Sequence, residues 1–344
     1  MRRPVTFLDL RALLYRGRIT GPDPEEGAQV RFKKAALTVT LAIATSLPLA
    51  AGTATAEETQ GPGRLTGTDY SGSSPALVSL NPVSGSVTAT LAQGAEDGVL
   101  SPSGSQVAYI HRRDTCTPQT EGCAHGSDLV VAGADGSDAQ VLVAGIGSEA
   151  GGVPYVGHPD WSPDGERVVY ETETGLGWIK ADGTGGEVLT PYGTRGTFSP
   201  DGRSIAFLRS TSYETEEGWD VGTDVYVLNT DTREERQLTT SHDVGDSPVD
   251  WSPDGSRLVY ATDYDLHTVD VATGAITSLP NQWTPALSYF RTPVYSPDGT
   301  RFAFNAFDQA AGASATYVVD AADGGNLRKL TDRPTTFTDW LPNE

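Results

Sequence analysis

Three aspartates stand directly ahead of a tryptophan, in Asp160-Trp161, Asp250-Trp251 and Asp339-Trp340. A further polar side chain precedes two of these pairs, His158 and Asp246. Carboxylate oxygens are hard donors that suit calcium or another cation, and with an imidazole nearby they can also hold a polar small ligand. The same side chains have a structural use, in which they hydrogen-bond neighbouring blades or cap turns, and this is the favoured reading. Cys116 and Cys123 are the only two cysteines and bracket a polar loop. In an exported chain this reads as a loop-stapling disulfide. Zinc binding with His111 and His125 is the alternative, at a spacing that matches no standard finger. Trp219 lies among Glu214, Glu216, Glu217 and Asp220 in a stretch, Ser212 to Thr223, that reads as a loop. A tryptophan among acids on such a loop is a candidate tip for a partner, and folding onto the blade edge is its structural alternative. No G-x-S-x-G elbow, H-E-x-x-H pair or phosphate loop ending in Gly-Lys occurs in the sequence, so no catalytic residue and no metal set is assigned.

The elements that position these residues are repeats. Ser162-Pro163-Asp164-Gly165 recurs at 199–202, 252–255 and 296–299, with a weaker copy at Ser101-Pro102-Ser103-Gly104. A large apolar anchor precedes each: Leu100, Trp161, Phe198, Trp251 and Tyr295, with Trp340 ahead of a copy that is cut short. Pro presets the first corner of a turn, Asp suits the second, and Gly takes the left-handed position that follows. Alternating strands flank each turn, as in Arg167-Val168-Val169-Tyr170, so every unit reads as a four-stranded antiparallel meander. A lone meander cannot bury both faces; stacking six around an axis does, and gives an all-β, six-bladed β-propeller. The C-terminus supplies only a first strand (Phe337 to Leu341). The N-terminus supplies three, near Arg64 to Tyr70, Ala76 to Leu80 and Ser86 to Leu91. Together they complete the sixth blade. In a propeller the stretch ahead of each anchor lines one mouth of the central channel, which places His158, Asp160, Asp246, Asp250 and Asp339 there.

Composition limits the function. The net charge of −21 argues against nucleic acid and anionic membrane surfaces, which need a cationic face. Arg31-Phe32-Lys33-Lys34, an apolar run from Ala35 to Ala51, and Ala54 and Ala56 form the three regions of a secretory signal peptide over 30–56. Residues 1–29 read as an extension or a mis-assigned start, with Val30 as the start. The mature chain, 57–344, is expected to be a single propeller domain, secreted or periplasmic, monomeric and without a membrane anchor. Removing residues 1–56 takes away eight basic and four acidic residues and leaves a net charge of −25.

The Trp-Ser-Pro-Asp-Gly strings, with a Tyr-Val-containing strand and a Leu-Thr ending, resemble the TolB-type propeller repeat over roughly residues 63 to 344. The resemblance covers the propeller domain only and implies the fold. It implies less of the function, because the repeat also occurs in peptidase propeller domains and stand-alone secreted proteins. The expectation is a non-catalytic scaffold that binds an envelope or extracellular protein, or a polar small ligand, through its channel mouth and long loops. No cofactor is expected beyond a channel cation such as calcium. The alternative is a metal-dependent polysaccharide lyase or hydrolase using the channel. Oligogalacturonate lyases resemble this scaffold but hold their metal with several histidines, and here only His158 and His242 lie near channel mouths.

Overall fold

The computed structural model describes residues 63–114, 125–145, 155–215, 218–279 and 286–342. The proposed signal peptide, residues 1–29 and both cysteines lie outside them. Six four-stranded antiparallel sheets form the blades, and there is no helix among the described residues. The innermost strands are Thr335–Leu341 (blade 1), Ala95–Leu100 (blade 2), Val156–Trp161 (blade 3), Thr194–Phe198 (blade 4), Asp250–Trp251 (blade 5) and Leu287–Tyr295 (blade 6). Blade 1 is assembled from both chain ends: Thr335–Leu341 pairs with Arg64–Asp69, followed outward by Ala76–Leu80 and Val87–Gln93.

Each repeated tetrad forms the hairpin that its residue types dictate. In blade 3 the Gly165 N–H donates to the Ser162 carbonyl at 2.8 Å. Asp164 Oδ1 accepts from Ser162 Oγ at 2.5 Å and from the Glu166 N–H at 2.9 Å. Gly165, Gly202, Gly255 and Gly299 have φ of +71°, +70°, +69° and +70°, a conformation that costs other residues about 1–2 kcal/mol. The turns also touch one another. A Cβ built on Gly202 would meet Pro163 of the preceding blade at 3.5 Å, and one on Gly299 would meet Pro253 at 3.5 Å. The local turn signal is therefore also a blade-to-blade contact.

The core lies between blades. Val99, Ile110, Leu129 and Val131 of blade 2 pack on Val156, Trp161, Val168 and Ile179 of blade 3, and the closing blade packs Leu65, Val78 and Trp340 on Val294, Ala303 and Val318 of blade 6. Fully burying such a side chain contributes roughly 1.5–3 kcal/mol, so the ring is held by these seams.

One reading is corrected. Ser212 to Thr223 is not an extended loop. Strands Ser204–Thr215 and Gly218–Asn229 run through it and pair from Ser204↔Asn229 to Thr215↔Gly218. Residues such as Thr211, Tyr213, Val221 and Thr223 suit a pleated ribbon, and the acids between them obscure that pattern.

Because each blade is a meander, the Ser-Pro-Asp-Gly turns and the turns between third and fourth strands lie at one end, here the turn face. The connections from second to third strand, and from each blade to the next, lie at the other end, the loop face.

Candidate functional site

The innermost strands surround a channel in two tiers. The lower tier is the residue before each anchor. Around the ring these are Asp339, Val99, Asp160, Thr197, Asp250 and Val294, so the carboxylates fall on blades 1, 3 and 5 and alternate with blades that carry none. Asp and Trp of one pair work in opposite directions. The Trp161 indole N–H reaches back to the Val99 carbonyl of blade 2 at 3.2 Å. Asp160 Oδ2 reaches forward and accepts from the Phe198 N–H at 2.7 Å and Thr197 Oγ1 at 3.1 Å on blade 4. In blade 5 the Trp251 indole N–H donates to the Thr197 carbonyl at 3.2 Å, and Asp250 Oδ2 accepts from the Tyr295 N–H at 2.7 Å. Each pair thus clamps three consecutive blades. Blade 1 varies the scheme: Asp339 accepts from its own neighbour, the Trp340 N–H, at 2.6 Å, and Thr338 Oγ1 donates to the Gly98 carbonyl of blade 2 at 2.6 Å.

These carboxylates titrate high. Burial pushes Asp160 up to about 6, against the hydrogen bonds from Phe198 and Thr197. Burial and the charge of Asp160 push Asp339 up to about 7. Asp250 is raised well above the usual range, by burial first and then by the charges of Asp339 and Asp160. The three feel one another across the channel. Even so, among the described residues no group of three His, Cys, Asp or Glu side chains is placed to hold a metal ion.

The upper tier, nearer the loop face, lies three residues ahead of the anchor. Asp97, His158, Arg195 and Thr292 occupy this position in blades 2, 3, 4 and 6, with φ of +49°, +47°, +53° and +47°. Each coincides with a break in strand register, such as Gly157/Asp160 and Thr194/Thr197. A bulge re-aims side chains, and these four line the channel. A non-glycine residue in this region costs about 1–3 kcal/mol and persists only where its surroundings impose it. His158 Nδ1 lies 3.4 Å from Asp97 Oδ2 and 3.5 Å from Arg195 Nη1. Burial first, then the Arg195 charge, depresses His158 to about 4 against the pull of Asp97 and Asp246, so the imidazole is neutral at physiological pH. Arg195 Nε donates to Asp246 Oδ1 at 3.0 Å. Partial desolvation raises the Asp246 carboxyl, but the Arg195 charge and hydrogen bond outweigh it and leave the group below its ordinary value.

Between the tiers is a cavity of about 60 Å³ lined by His158, Asp160, Arg195, Asp250 and their neighbours. That holds a few waters or a small ion and falls well short of the roughly 300–1,000 Å³ of an organic-ligand site. Of the residues singled out by sequence, His158, Asp160 and Asp250 line the cavity, Asp339 is coupled to them, and Asp246 stands outside, tied to Arg195. Trp219 lies away from the channel on the blade 4 ribbon and is 75% exposed. Sequence reasoning missed Asp97, Arg195 and Thr292, whose one shared signal is their distance from the anchor.

No family model matches the chain. An uncharacterized peptidase of Bacillus subtilis is 26% identical over 195 residues, 53% of this chain and 27% of its own length. An uncharacterized protein of Agrobacterium fabrum is 28% identical over 196 residues, 54% of this chain and 60% of its own. The matches thus span about a quarter and three-fifths of these relatives. Among solved structures, TolB from Acinetobacter baumannii aligns with a TM-score of 0.51 and 17% identity, over 78% of this chain and 68% of that one. The fold is that of a TolB-like propeller. Other proteins share it. An oligogalacturonate lyase in complex with manganese aligns with a TM-score of 0.52 and 16% identity, over 80% and 75% of the two chains. A chain of a nidogen–laminin complex aligns with a TM-score of 0.53 and 10% identity, over 81% and 97%. The TolB-like propeller has no helix among its described residues long and apolar enough to cross a membrane.

Proposed function

We propose that this TolB-like propeller is an extracytoplasmic binding scaffold whose working surface is the loop face. One observation carries the reading. The five exposed aromatic side chains among the described residues, from Tyr70 at 42% to Trp219 at 75%, with Tyr192, Tyr264 and Tyr289 between, all lie on loop-face connections or strand ends. The exposed aliphatics Val141, Val188 and Ile276 lie on outermost strands. Exposed aromatic area gathered on one face marks an interaction surface, and Tyr and Trp are enriched at interfaces. The channel supports the same reading, because Asp160 and Asp250 serve as clamps between blades and the cavity is small. A nidogen–laminin chain and a manganese-bound lyase both use this architecture. Among the described residues His158 is the only imidazole lining the cavity, which favours binding over cleavage at a metal held by several histidines.

The test is affinity capture from the native culture with three proteins: wild type, a loop-face variant (Trp219→Ala with Tyr264→Ser and Tyr289→Ser) and a turn-face variant (Glu166→Gln with Glu234→Gln). A partner held by wild type and the turn-face variant and lost from the loop-face variant supports the reading. A partner that ignores the loop-face substitutions overturns it.

A further inference from the structure

We infer that the loop face of blades 4 to 6 takes a positively charged segment of a partner protein. This rests on the reading of the loop face as the working surface and adds the chemistry of what docks there.

The sector is built around the blade 4 ribbon. The inner neighbour of Ser204–Thr215 pairs no further than Thr194↔Leu208. Beyond that point Arg209–Thr215 and Gly218–Asp224 rise as a two-stranded ribbon, about 20 Å long at roughly 3.3 Å per residue. Its root is braced. Asp224 is fully buried and accepts from Thr239 Oγ1 at 2.9 Å and from the His242 N–H at 3.2 Å, and its Oδ2 lies 2.6 Å from His242 Nδ1. The His242 ring stacks on Tyr213, with centroids 4.2 Å apart, and the Val244 N–H donates to the Thr223 carbonyl at 3.2 Å. The ribbon is therefore presented in a fixed pose, which lowers the ordering cost of binding.

The charges left over in this sector have one sign. Its described cations are already engaged: Arg209 with Glu235, Arg291 with Asp263, Arg195 with Asp246, Arg333 with Asp69, and Lys329 with Asp332. Glu214, Asp220 and Asp243 have no Lys or Arg partner among the described residues. Trp219 lies opposite Glu214 in the ribbon ladder and next to Asp220 in the chain, and on the neighbouring blades the same face exposes Tyr264 and Tyr289. The Tyr289 N–H donates to the Asp263 carbonyl at 2.6 Å, which sets Tyr289 next to the blade 5 loop that carries Tyr264. Exposed aromatic faces attract Lys and Arg, and surplus carboxylates select the same side chains while steering them in from solution. A neutral saccharide would stack on the rings and donate hydroxyls to the acids but gain nothing from their net charge. An acidic segment would be repelled.

The experiment uses the mature full chain, with Trp219 as the local reporter and Trp219→Phe as its spectroscopic control. A ten-residue lysine-rich peptide, a matched glutamate-rich peptide and a neutral oligosaccharide are titrated by calorimetry and fluorescence at low and physiological salt. The expected result is binding of the lysine-rich peptide alone, about tenfold weaker at the higher salt as screening predicts. It should weaken at least fivefold in Trp219→Ala and at least tenfold in Glu214→Gln/Asp220→Asn/Asp243→Asn. Glu166→Gln/Glu234→Gln, on the turn face, should bind like wild type. Tighter binding of the saccharide or the acidic peptide overturns the inference, as does equal weakening by the turn-face pair, which would mark diffuse attraction to an acidic protein. If the captured partner binds at the loop face but is not displaced by the lysine-rich peptide, this inference fails while the scaffold reading stands. If capture ignores the loop face, both fail.

Discussion

Asp339 shows what a channel carboxylate costs and gives. Its pKa is about 7 in the folded chain against an ordinary 3.8, so the folded state binds the proton more tightly than the unfolded state. That contribution is complete below pH 3.8 and is lost as pH rises towards 7; the same sign holds for Asp160 up to about 6. His158, depressed from 6.5 to about 4, acts with the opposite sign between those values, so thermal unfolding at pH 4, 6 and 8 is compared between wild type and Asp339→Asn to isolate the fall due to Asp339. Asp339→Asn should flatten the fall and stabilise the protein at pH 8 by about 1–2 kcal/mol; an unchanged pH profile would contradict the placement of this carboxylate. Trp251 tests the other half of the clamp. Trp251→Phe keeps most of the packing and loses the hydrogen bond to Thr197, costing about 1 kcal/mol, whereas Trp251→Ala should cost about 3–5 kcal/mol; denaturant titration separates the two. The Asp-Trp pairs were visible in the sequence as recurring dipeptides. A bond from these aspartates to a neighbouring blade was expected too; the indole reaching back to the blade before was not, because nothing in a dipeptide says which way its side chains point.

At the scale of the element, local physics decides what was legible. The Ser-Pro-Asp-Gly turns were readable because Pro and Gly carry their backbone angles with them. The left-handed positions of Asp97, His158, Arg195 and Thr292 were not, because none is a glycine and the register break that imposes the angle is a property of the paired strands. The blade 4 ribbon was hidden for a related reason: Glu214, Glu216 and Glu217 look like loop residues, and only the cross-strand pairing makes 204–215 a strand. The brace at the ribbon root gives an element-level prediction. Asp224→Ala removes the acceptor of Thr239 and His242 and should speed amide exchange from Arg209 to Val225 at least tenfold, leaving the strands of blades 1 to 3 unchanged. Uniform acceleration through all six blades would mean that the ribbon and the ring open together.

At the scale of the molecule, the ring depends on its mixed blade. Thr335–Leu341 brings the buried Phe337 and Trp340 into the seam with blade 6 and pairs along the whole of Arg64–Asp69. Deleting residues 335–344 should lower the melting temperature by well over 10 °C, as expected when several buried side chains and a strand ladder are lost together; wild-type melting would contradict closure. The number of blades and the split of the first between the two ends were both legible from the spacing of the anchors. The chemistry of the loop face was not, because its aromatics are scattered between residues 70 and 289 and come to share one face only once the blades close.

The closing ladder has a mechanical consequence. Arg64 pairs with Leu341, so the first and last rungs of the described chain lie side by side at the turn face, and the remaining rungs follow in order to Asp69 and Thr335. Pulling Arg64 and Leu341 apart loads one rung at a time, as a zipper does, instead of straining all the rungs at once. A ring held through its many seams would therefore part under a gentle tug at these paired ends, while the loop face on the opposite side stays out of the line of force.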